Sequence, residues 1–311
     1  MGLIIGIDGG GTKTDFLVCD ETGRCLKRFQ KGPSNPIDIG MEQCIALLKS
    51  GIKEITETFP ETDICSVYAG LAGGMSGNNK QLIHTQLMRM FPEETIIGND
   101  TDAMNQMIYE CEGRDAGAII AGTGSVGISK KADELKFFGG YGYLLDRGGS
   151  GYDYGRDALY YALCDVDGRR EKTLIRNLIE ERIGDIKKHI PDIYAKGKPY
   201  IASFAPVVFE AYKQGDAAAE EIIKANTKEL ADLFNRIAWH QQKEACDVVL
   251  AGSVFKSFYI IEKYLYDYLK ADFHIVLSDM EPVYGTVVQA AVQAGIHDIK
   301  EFKRNLSLKD T

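Results

Sequence analysis

The sequence has few of the residues that build metal centres and disulfide frameworks. Its 311 residues include seven cysteines, an odd number, and five histidines. No Cys-x-x-C pair occurs, and the histidines show no spacing typical of metal ligands. A zinc site, an iron–sulfur site and a disulfide framework are therefore not predicted. The cysteines are better explained as reduced thiols that pack as small hydrophobic side chains, which is typical of a cytoplasmic protein.

Long hydrophobic runs and an excess of positive charge are missing as well. No apolar run approaches the roughly 18 residues of a membrane-spanning helix. The opening segment, MGLIIGIDGGG, lacks the basic region of a signal peptide. Acidic residues outnumber basic ones by 45 to 36, so the net charge is −9. This charge argues against nucleic acid and anionic membranes as partners, because both are polyanions.

The same order of strands and turns is predicted twice along the chain. Each half begins with three strands joined by tight turns, at residues 3–8, 14–19 and 25–29, and again at 117–121, 126–129 and 135–138. Further strands are predicted near 64–69, 95–98 and 248–250. We interpret the repeated order as a diverged internal duplication. It predicts an α/β protein with two domains, 1–114 and 115–311, whose final helix at about 285–311 packs back onto the first domain.

A glycine-rich turn, Gly9-Gly10-Gly11-Thr12, follows the first strand. It is not a Walker A loop, because Thr12 stands where that loop needs lysine and because a strand follows instead of a helix. The N–H groups of such a hairpin can still bind phosphate, since Gly10 and Gly11 carry no Cβ. Asp8 would then hold Mg²⁺ through water, and Thr12 and Lys13 would contact phosphate oxygens. A plain β-turn that begins with an acidic residue explains this loop equally well.

A second glycine turn, Gly122-Thr123-Gly124-Ser125, occupies the equivalent position in the second half. Two such turns could face each other across a cleft and hold a nucleoside triphosphate between them. With both turns present, the chain resembles the sugar kinase/Hsp70/actin superfamily, and within it the N-acetylglucosamine kinase branch of the BadF/BadG type. Residues 8–14 resemble that family's first phosphate motif, and residues 122–125 resemble its second.

Two later segments extend the resemblance over nearly the whole chain. Residues 248–254 resemble the adenosine motif, which implies that Gly252 and Ser253 lie near the nucleotide base. Residues 139–142, followed by 149–151, resemble the glycine-rich substrate segment. This implies that Ser125, Gly140 and Tyr141 bind the sugar. The resemblance further implies two RNase H-like domains of the actin-like ATPase fold, ATP and Mg²⁺ as cofactors, an interdomain cleft for nucleotide and sugar, and a homodimer.

The resemblance also implies a catalytic acid and a sugar-binding amide in the first domain. Asp100 follows the strand at 95–98 and matches the family's general base, which accepts the proton of the sugar 6-hydroxyl. Asp102 competes for that role, although either acid would also suit the first turn of a helix. Asn35 matches an asparagine that hydrogen-bonds the sugar, although turn chemistry beside two prolines suits it too.

The chain departs from the family pattern at residues 146–150. They read Asp-Arg-Gly-Gly-Ser where N-acetylglucosamine kinases typically read Gly-Asp-Glu-Gly-Ser. An ungapped match places Arg147 on a sugar-contacting aspartate, whereas a slip of one residue lets Asp146 supply that carboxylate. A guanidinium at this position would favour a substrate with its own carboxylate, such as N-acetylmuramic acid. Alternatively, Arg147 points to solvent or pairs with Asp153.

The predicted activity is ATP-dependent 6-phosphorylation of N-acetylglucosamine, N-acetylmuramic acid or both, with glucosamine as a further candidate. The alternative is a nucleotide-switch ATPase that activates a partner enzyme, similar to the 2-hydroxyacyl-CoA dehydratase activators. Those proteins carry a [4Fe–4S] cluster on cysteines at a dimer interface. No cysteine lies in or beside the second glycine turn of this chain, which favours the kinase.

Overall fold

The computed structural model describes residues 2–111, 114–132 and 134–307. Its strands are β1 (Leu3–Gly9), β2 (Thr14–Asp20), β3 (Cys25–Lys31), β4 (Ile64–Leu71), β5 (Ile96–Asp100), β6 (Gly117–Ala121), β7 (Ser125–Lys131), β8 (Glu134–Gly139), β9 (Ala245–Ala251) and β10 (Asp272–Leu277). Its α-helices are α1 (Pro36–Ile39), α2 (Met41–Thr58), α3 (Asn79–Met88), α4 (Asn105–Cys111), α5 (Gly151–Val166), α6 (Leu174–Ile183), α7 (Ile190–Ala202), α8 (Ala205–Lys213), α9 (Ala217–Gln241), α10 (Phe258–Leu265), α11 (Pro282–Gln293) and α12 (Ile299–Ser307).

The chain divides into two compact units. The first comprises Met1–Arg114 and Ser278–Thr311, and the second comprises Asp115–Leu277. Residues 112 and 113, which precede the predicted domain boundary between residues 114 and 115, lie outside the described residues. Each unit contains a five-stranded mixed sheet covered by helices, so the predicted α/β class is confirmed.

The two sheets have the same topology. Their strand orders are β3-β2-β1-β4-β5 in the first unit and β8-β7-β6-β9-β10 in the second. In both, three antiparallel strands form a meander, and two strands parallel to the first strand complete the sheet. The predicted duplication is therefore visible in the fold. One strand of the repeat, β10, was missed because its partly exposed residues at the sheet edge show no clear apolar alternation.

The parallel strands of the first sheet bring polar side chains to one edge. Asp8 in β1 is in register with Gly70 in β4, and Gly70 is in register with Asp100 in β5. Because these three strands run in the same direction, their carboxyl ends lie side by side. The sheet packs on the amphipathic helix α2, whose buried residues recur at spacings of three and four.

The C-terminal helices α11 and α12 belong to the first unit, the domain onto which the sequence analysis expected the final helix to pack. Helix α11 approaches β1 and α4 closely at two glycines. A Cβ at Gly6 would lie 2.7 Å from the backbone nitrogen of Val287, and one at Gly285 would lie 1.8 Å from the carbonyl oxygen of Asn105. The single helix predicted at 285–311 is two helices, because Gly295, with φ of +77°, ends α11.

None of the helices in the described part of the chain combines the length and the apolar character needed to cross a bilayer.

Candidate functional site

The first glycine turn joins β1 to β2 as the sequence predicts. The backbone N–H of Gly10 donates to the carbonyl of Lys13 at 2.9 Å, and the N–H of Ser34 donates to the carbonyl of Gly10 at 3.0 Å. Gly11, Thr12 and Lys13 are exposed at the tip. The Lys13 ammonium pairs with Asp15 at 2.7 Å. The turn therefore offers an open backbone surface with an exposed lysine held by Asp15.

Asp8 lies beside this turn in a largely buried position. The amide nitrogen of Asn105 donates to Oδ1 of Asp8 at 2.6 Å. Burial and the charge of Asp102 raise the pKa of the Asp8 carboxyl to about 7, although the hydrogen bond from Asn105 opposes this shift. The sequence contained no signal for Asn105, because its contact with Asp8 is made between β1 and α4, far apart in the chain.

This environment fits an oxygen-ligated cation. Asn105 is fully buried, and its Oδ1 has no hydrogen-bond partner among the described residues. Burial disfavours the ionised form of a carboxyl group, and a nearby divalent cation stabilises that ionised form. Mg²⁺ binds through one or two carboxylates plus water and phosphate oxygens. Asp8 is therefore suited to the role predicted for it.

Asp100 ends β5 and is held by two contacts. Lys80 of α3 pairs with its Oδ2 at 2.9 Å, and the backbone N–H of Thr101 donates to its Oδ1 at 2.8 Å. The Asp100 side chain keeps 15% of its surface exposed, so its carboxylate is partly accessible to solvent. Lys80 was not singled out from the sequence, since nothing in α3 marks a lysine that faces the end of β5.

Asp102 has a different environment from Asp100. It begins a 3-10 helix, Asp102–Met104, whose N-cap is Thr101. The Thr101 hydroxyl donates to Oδ1 of Asp102 at 3.1 Å. The charge of Asp102 contributes to the raised pKa of Asp8. Asp102 also occupies the first turn of the helix, the position that was an alternative role for either acid. Asp100 precedes that helix and does not cap it.

The Asn35 side chain makes local turn hydrogen bonds, the alternative to sugar binding that the sequence analysis gave for it. Its Oδ1 accepts from the N–H of Ile37 at 3.0 Å, capping α1, and its Nδ2 donates to Asp38 at 2.7 Å. A Cβ on Gly73 would lie 2.3 Å from this Oδ1. The side chain is thus fixed in place, and sugar binding by Asn35 stays a prediction.

The second glycine turn packs against the start of helix α5. The N–H of Gly122 closes the turn onto the carbonyl of Gly124 at 2.9 Å. The first amides of the helix then donate to the turn, from Gly151 to the carbonyl of Gly122 at 2.7 Å and from Tyr152 to that of Thr123 at 3.2 Å. The loop is therefore attached to a rigid element, which positions it for ligand binding.

A cavity of about 440 Å³ opens beside this turn. It brings together the predicted second phosphate motif and the predicted adenosine segment, since its lining includes Gly122, Thr123 and Ser253. Gly252 has φ of +109°, and a Cβ there would lie 2.4 Å from the carbonyl oxygen of Ala121. Only glycine allows β9 to turn into the cavity at this point. The lining also includes two residues that the sequence did not single out, Phe209 and Lys256.

A second, smaller cavity of about 70 Å³ lies on the other side of the turn. Ser125, Gly140 and Asp146 line it, and all three were predicted to bind the sugar. Asp146 is held by the N–H groups of Tyr141 at 3.2 Å and Arg147 at 2.8 Å. Tyr141 is not among the described residues that line this cavity, and its ring is 73% exposed, so sugar binding by Tyr141 stays a prediction. Lys198, which the sequence analysis missed, also lines the cavity.

Arg147 is directed toward acidic residues of α5. Its Nη2 donates to Asp157 at 2.9 Å, and its Nε lies 3.9 Å from Oδ1 of Asp153. Asp153 is 2% exposed and forms a capping box with Ser150 at the start of the helix. Asp146, and not Arg147, is among the described residues that line the smaller cavity.

Comparison with known proteins places these features in a family. A model of the BadF/BadG/BcrA/BcrD ATPase family matches residues 5–290, so the resemblance seen in the motifs is confirmed. An N-acetylmuramic acid/N-acetylglucosamine kinase of Clostridium acetobutylicum is 31% identical over 279 residues, covering 86% of this chain and 89% of that protein. An N-acetyl-D-glucosamine kinase of Dictyostelium discoideum is 29% identical over 251 residues, covering 76% and 79%.

A solved structure supports the fold. A candidate N-acetylglucosamine kinase from Chromobacterium violaceum superposes with a TM-score of 0.70 at 19% identity, covering 94% of this chain and 99% of that one. The predicted two-domain, actin-like ATPase fold is confirmed.

Proposed function

The chain belongs to the BadF/BadG/BcrA/BcrD ATPase family, and on this basis we propose that it transfers the γ-phosphoryl group of ATP to the 6-hydroxyl of an amino sugar. One observation carries the proposal. Motifs about 130 residues apart in the sequence, the second phosphate turn and the adenosine segment, line a single cavity of about 440 Å³. This volume lies within the roughly 300–1,000 Å³ typical of ligand sites.

The nucleotide is assigned to residues of both glycine turns. In this proposal, Gly10, Gly11, Thr12 and Lys13 bind phosphate oxygens, as do the residues of the second turn, Gly122, Thr123 and Gly124. Gly252 and Ser253 contact the adenosine. Mg²⁺, when bound, would be held by Asp8 through water and would neutralise charge on the phosphates.

Asp100 is proposed as the general base. It takes the proton of the 6-hydroxyl while the sugar oxygen forms a bond to the γ-phosphorus and the bond from that phosphorus to the β–γ bridging oxygen breaks. The products are the sugar 6-phosphate and ADP. Lys80 and the Thr101 N–H each hold one oxygen of Asp100, which orients the carboxylate for this transfer. Phosphoryl transfer depends chiefly on such positioning and on charge neutralisation.

The substrate is proposed to be N-acetylglucosamine, N-acetylmuramic acid or both, with glucosamine as a weaker candidate. The name of the Clostridium relative, which includes both N-acetylated sugars, supports this class. Asp146, which lines the cavity with Ser125 and Gly140, is assigned the contact to a sugar hydroxyl. Asn35 is proposed as a further sugar contact, as the family resemblance implies. Arg147 pairs with Asp157 at 2.9 Å, so recognition of a substrate carboxylate by this guanidinium would require that ion pair to be shared or exchanged.

The decisive experiment is an ADP-release assay with ATP and Mg²⁺, run with N-acetylglucosamine, N-acetylmuramic acid, glucosamine and glucose. We expect turnover on the first two sugars that Asp100→Asn reduces by at least about 100-fold, the range of general-base catalysis. Asp63→Asn is the matched control, because Asp63 is exposed just before β4, at the opposite edge of the same sheet. It should retain the wild-type rate.

Two results would contradict the proposal. Slow ATP hydrolysis that no sugar accelerates would favour the nucleotide-switch alternative and require a protein partner. Sugar phosphorylation that survives in Asp100→Asn and is lost in Asp102→Asn would transfer the base role to Asp102. The homodimer implied by the family resemblance is part of this proposal and is tested by analytical ultracentrifugation.

A further inference from the structure

Lys198 reaches the second glycine turn from helix α7. Its ammonium lies 3.2 Å from the point that a Cβ on Gly124 would occupy. It also lies 5.6 Å from the centre of the Tyr143 ring, close enough for a cation–π contact. The turn and the lysine thus form one wall of the smaller cavity, which Ser125 and Asp146 also line.

The backbone of α7 is interrupted at the residue before this lysine. Gly197 has φ of 64° and ψ of −151°, so two helical stretches meet at a kink there. This conformation is open almost only to glycine. Pro199 follows, and a proline restricts the backbone of the residue before it. The Gly-Lys-Pro sequence therefore interrupts the helix and restricts the backbone conformation on both sides of Lys198.

Two carboxylates line the same cavity, but neither forms an ion pair with Lys198. Asp153 pairs instead with Arg147 and Arg156, and Asp146 accepts hydrogen bonds from two backbone N–H groups. Among the described residues, Lys198 makes no ion pair, and it is the only basic side chain in the lining of this cavity. A partly buried ammonium that makes no ion pair favours an anionic ligand.

The size of the cavity is compatible with a small anion. Its volume of about 70 Å³ has room for a few water-sized groups, which suits a tetrahedral phosphoryl group. The cavity is bounded on one side by the phosphate turn and on the other by the residues assigned to the sugar. We propose that Lys198 binds the γ-phosphoryl group of ATP beside Gly124 and stabilises its charge during transfer; this inference rests on the proposed kinase function.

The test separates the γ-phosphate from the rest of the nucleotide. Binding of a non-hydrolysable ATP analogue and of ADP is measured by calorimetry for wild type and Lys198→Met. We expect the affinity for the analogue to fall about tenfold or more, the range of one charge-assisted hydrogen bond, while the affinity for ADP changes less than about threefold. In the kinase assay, kcat should fall with every accepted sugar, and Lys198→Arg should recover most of it because it keeps the charge.

Two further variants control for structural effects. Lys196→Met is matched, because Lys196 lies in the same helix but is exposed and stacks on Tyr200 at 4.4 Å; it should behave as wild type. Gly197→Ala keeps the lysine but strains its backbone. It should therefore reproduce the selective loss of affinity for the ATP analogue in protein whose thermal unfolding is still cooperative.

Three results would overturn the inference. They are equal losses of affinity for ADP and the analogue, no loss for either, or a loss of turnover confined to N-acetylmuramic acid, which would assign Lys198 to a substrate carboxylate. The binding measurement needs no sugar. A wild-type protein without sugar-dependent turnover would therefore contradict the kinase function while leaving the γ-phosphate contact separately testable.

Discussion

Asp8 and Asp15 lie opposite each other on β1 and β2, and the pKa values of their carboxyl groups are displaced in opposite directions. Burial and the charge of Asp102 raise the pKa of Asp8 to about 7. Burial also acts against ionisation of Asp15, but hydrogen bonds from Lys13 and Gln30, with the charge of Arg28, lower its pKa below the ordinary value. Two neighbouring carboxylates thus have different electrostatic environments, one suited to a cation and one held in an ion pair.

The first prediction follows from the raised pKa of Asp8. The folded protein keeps on Asp8 a proton that the unfolded chain releases near its ordinary pKa of 3.8. The stability that this group contributes is therefore fully present below that pKa and is lost as the pH rises through about 7. Without Mg²⁺ at about pH 8, Asp8→Asn should increase the free energy of unfolding by about 2–4 kcal/mol. Urea denaturation of metal-free protein across this pH range measures it.

Asp15→Asn is the matched control for the pH experiment. Since the pKa of Asp15 is lowered, its stabilisation is present above its ordinary pKa and is lost as the pH falls. Asp15→Asn should therefore reduce stability at neutral pH, opposite in sign to Asp8→Asn. An Asp8→Asn protein that is less stable than wild type at about pH 8 would show that the buried charge is already compensated without metal.

The second prediction concerns Lys80, which pairs with Asp100 at 2.9 Å. Lys80→Met should lower kcat about tenfold, because the base loses one of its two positioning contacts, while the KM for ATP stays unchanged. Lys53→Met, an exposed lysine of α2, should leave both values unchanged. In an Asp100→Asn background, Lys80→Met should have no further effect on kcat; an additive loss would mean that Lys80 acts independently of Asp100.

The third prediction compares Asp146 with Arg147. Asp146→Asn should raise the KM for the sugar about tenfold or more, because a charged hydrogen-bond acceptor in the cavity is lost. Arg147→Ala should lower the melting temperature, since it removes the ion pair with Asp157. It should change the ratio of kcat/KM for N-acetylmuramic acid to that for N-acetylglucosamine less than about threefold. A selective loss of N-acetylmuramic acid turnover in Arg147→Ala would restore the guanidinium as the carboxylate-binding group.

The fourth prediction compares two glycines with different surroundings. A Cβ on Gly122 would meet no atom within 4 Å, whereas one on Gly285 would lie 1.8 Å from the carbonyl oxygen of Asn105. Gly122→Ala should therefore fold with nearly wild-type stability but bind ATP more weakly, because its methyl group enters the nucleotide cavity. Gly285→Ala should cost about 1–3 kcal/mol of unfolding free energy by overpacking. Thermal unfolding and nucleotide titration on both proteins separate the two effects.

The sequence by itself determined the repeated strands, the two glycine turns and the family. These features are local, because period-two alternation specifies strands and turns require glycine where side chains would clash. Helix α9 shows the same, since its acidic N-cap, Asp216, and its apolar spacing are both readable from the chain. Motif order then indicated a kinase-like site without any knowledge of distances.

Only the tertiary structure decided which of the chemically similar residues face the site. Asp146 and Arg147 are neighbours in the chain, yet one lines a cavity and the other pairs with Asp157. Asn105 and Lys198 carry no local signal of their roles, because their contacts with Asp8 and Gly124 join distant segments. The sequence analysis expected the final helix to return to the first domain, but only the tertiary structure shows the close approach of Gly285 to Asn105 by which α11 packs there. Local sequence encodes backbone conformation, whereas the direction of a side chain and the partner it meets depend on the packing of elements far apart in the chain.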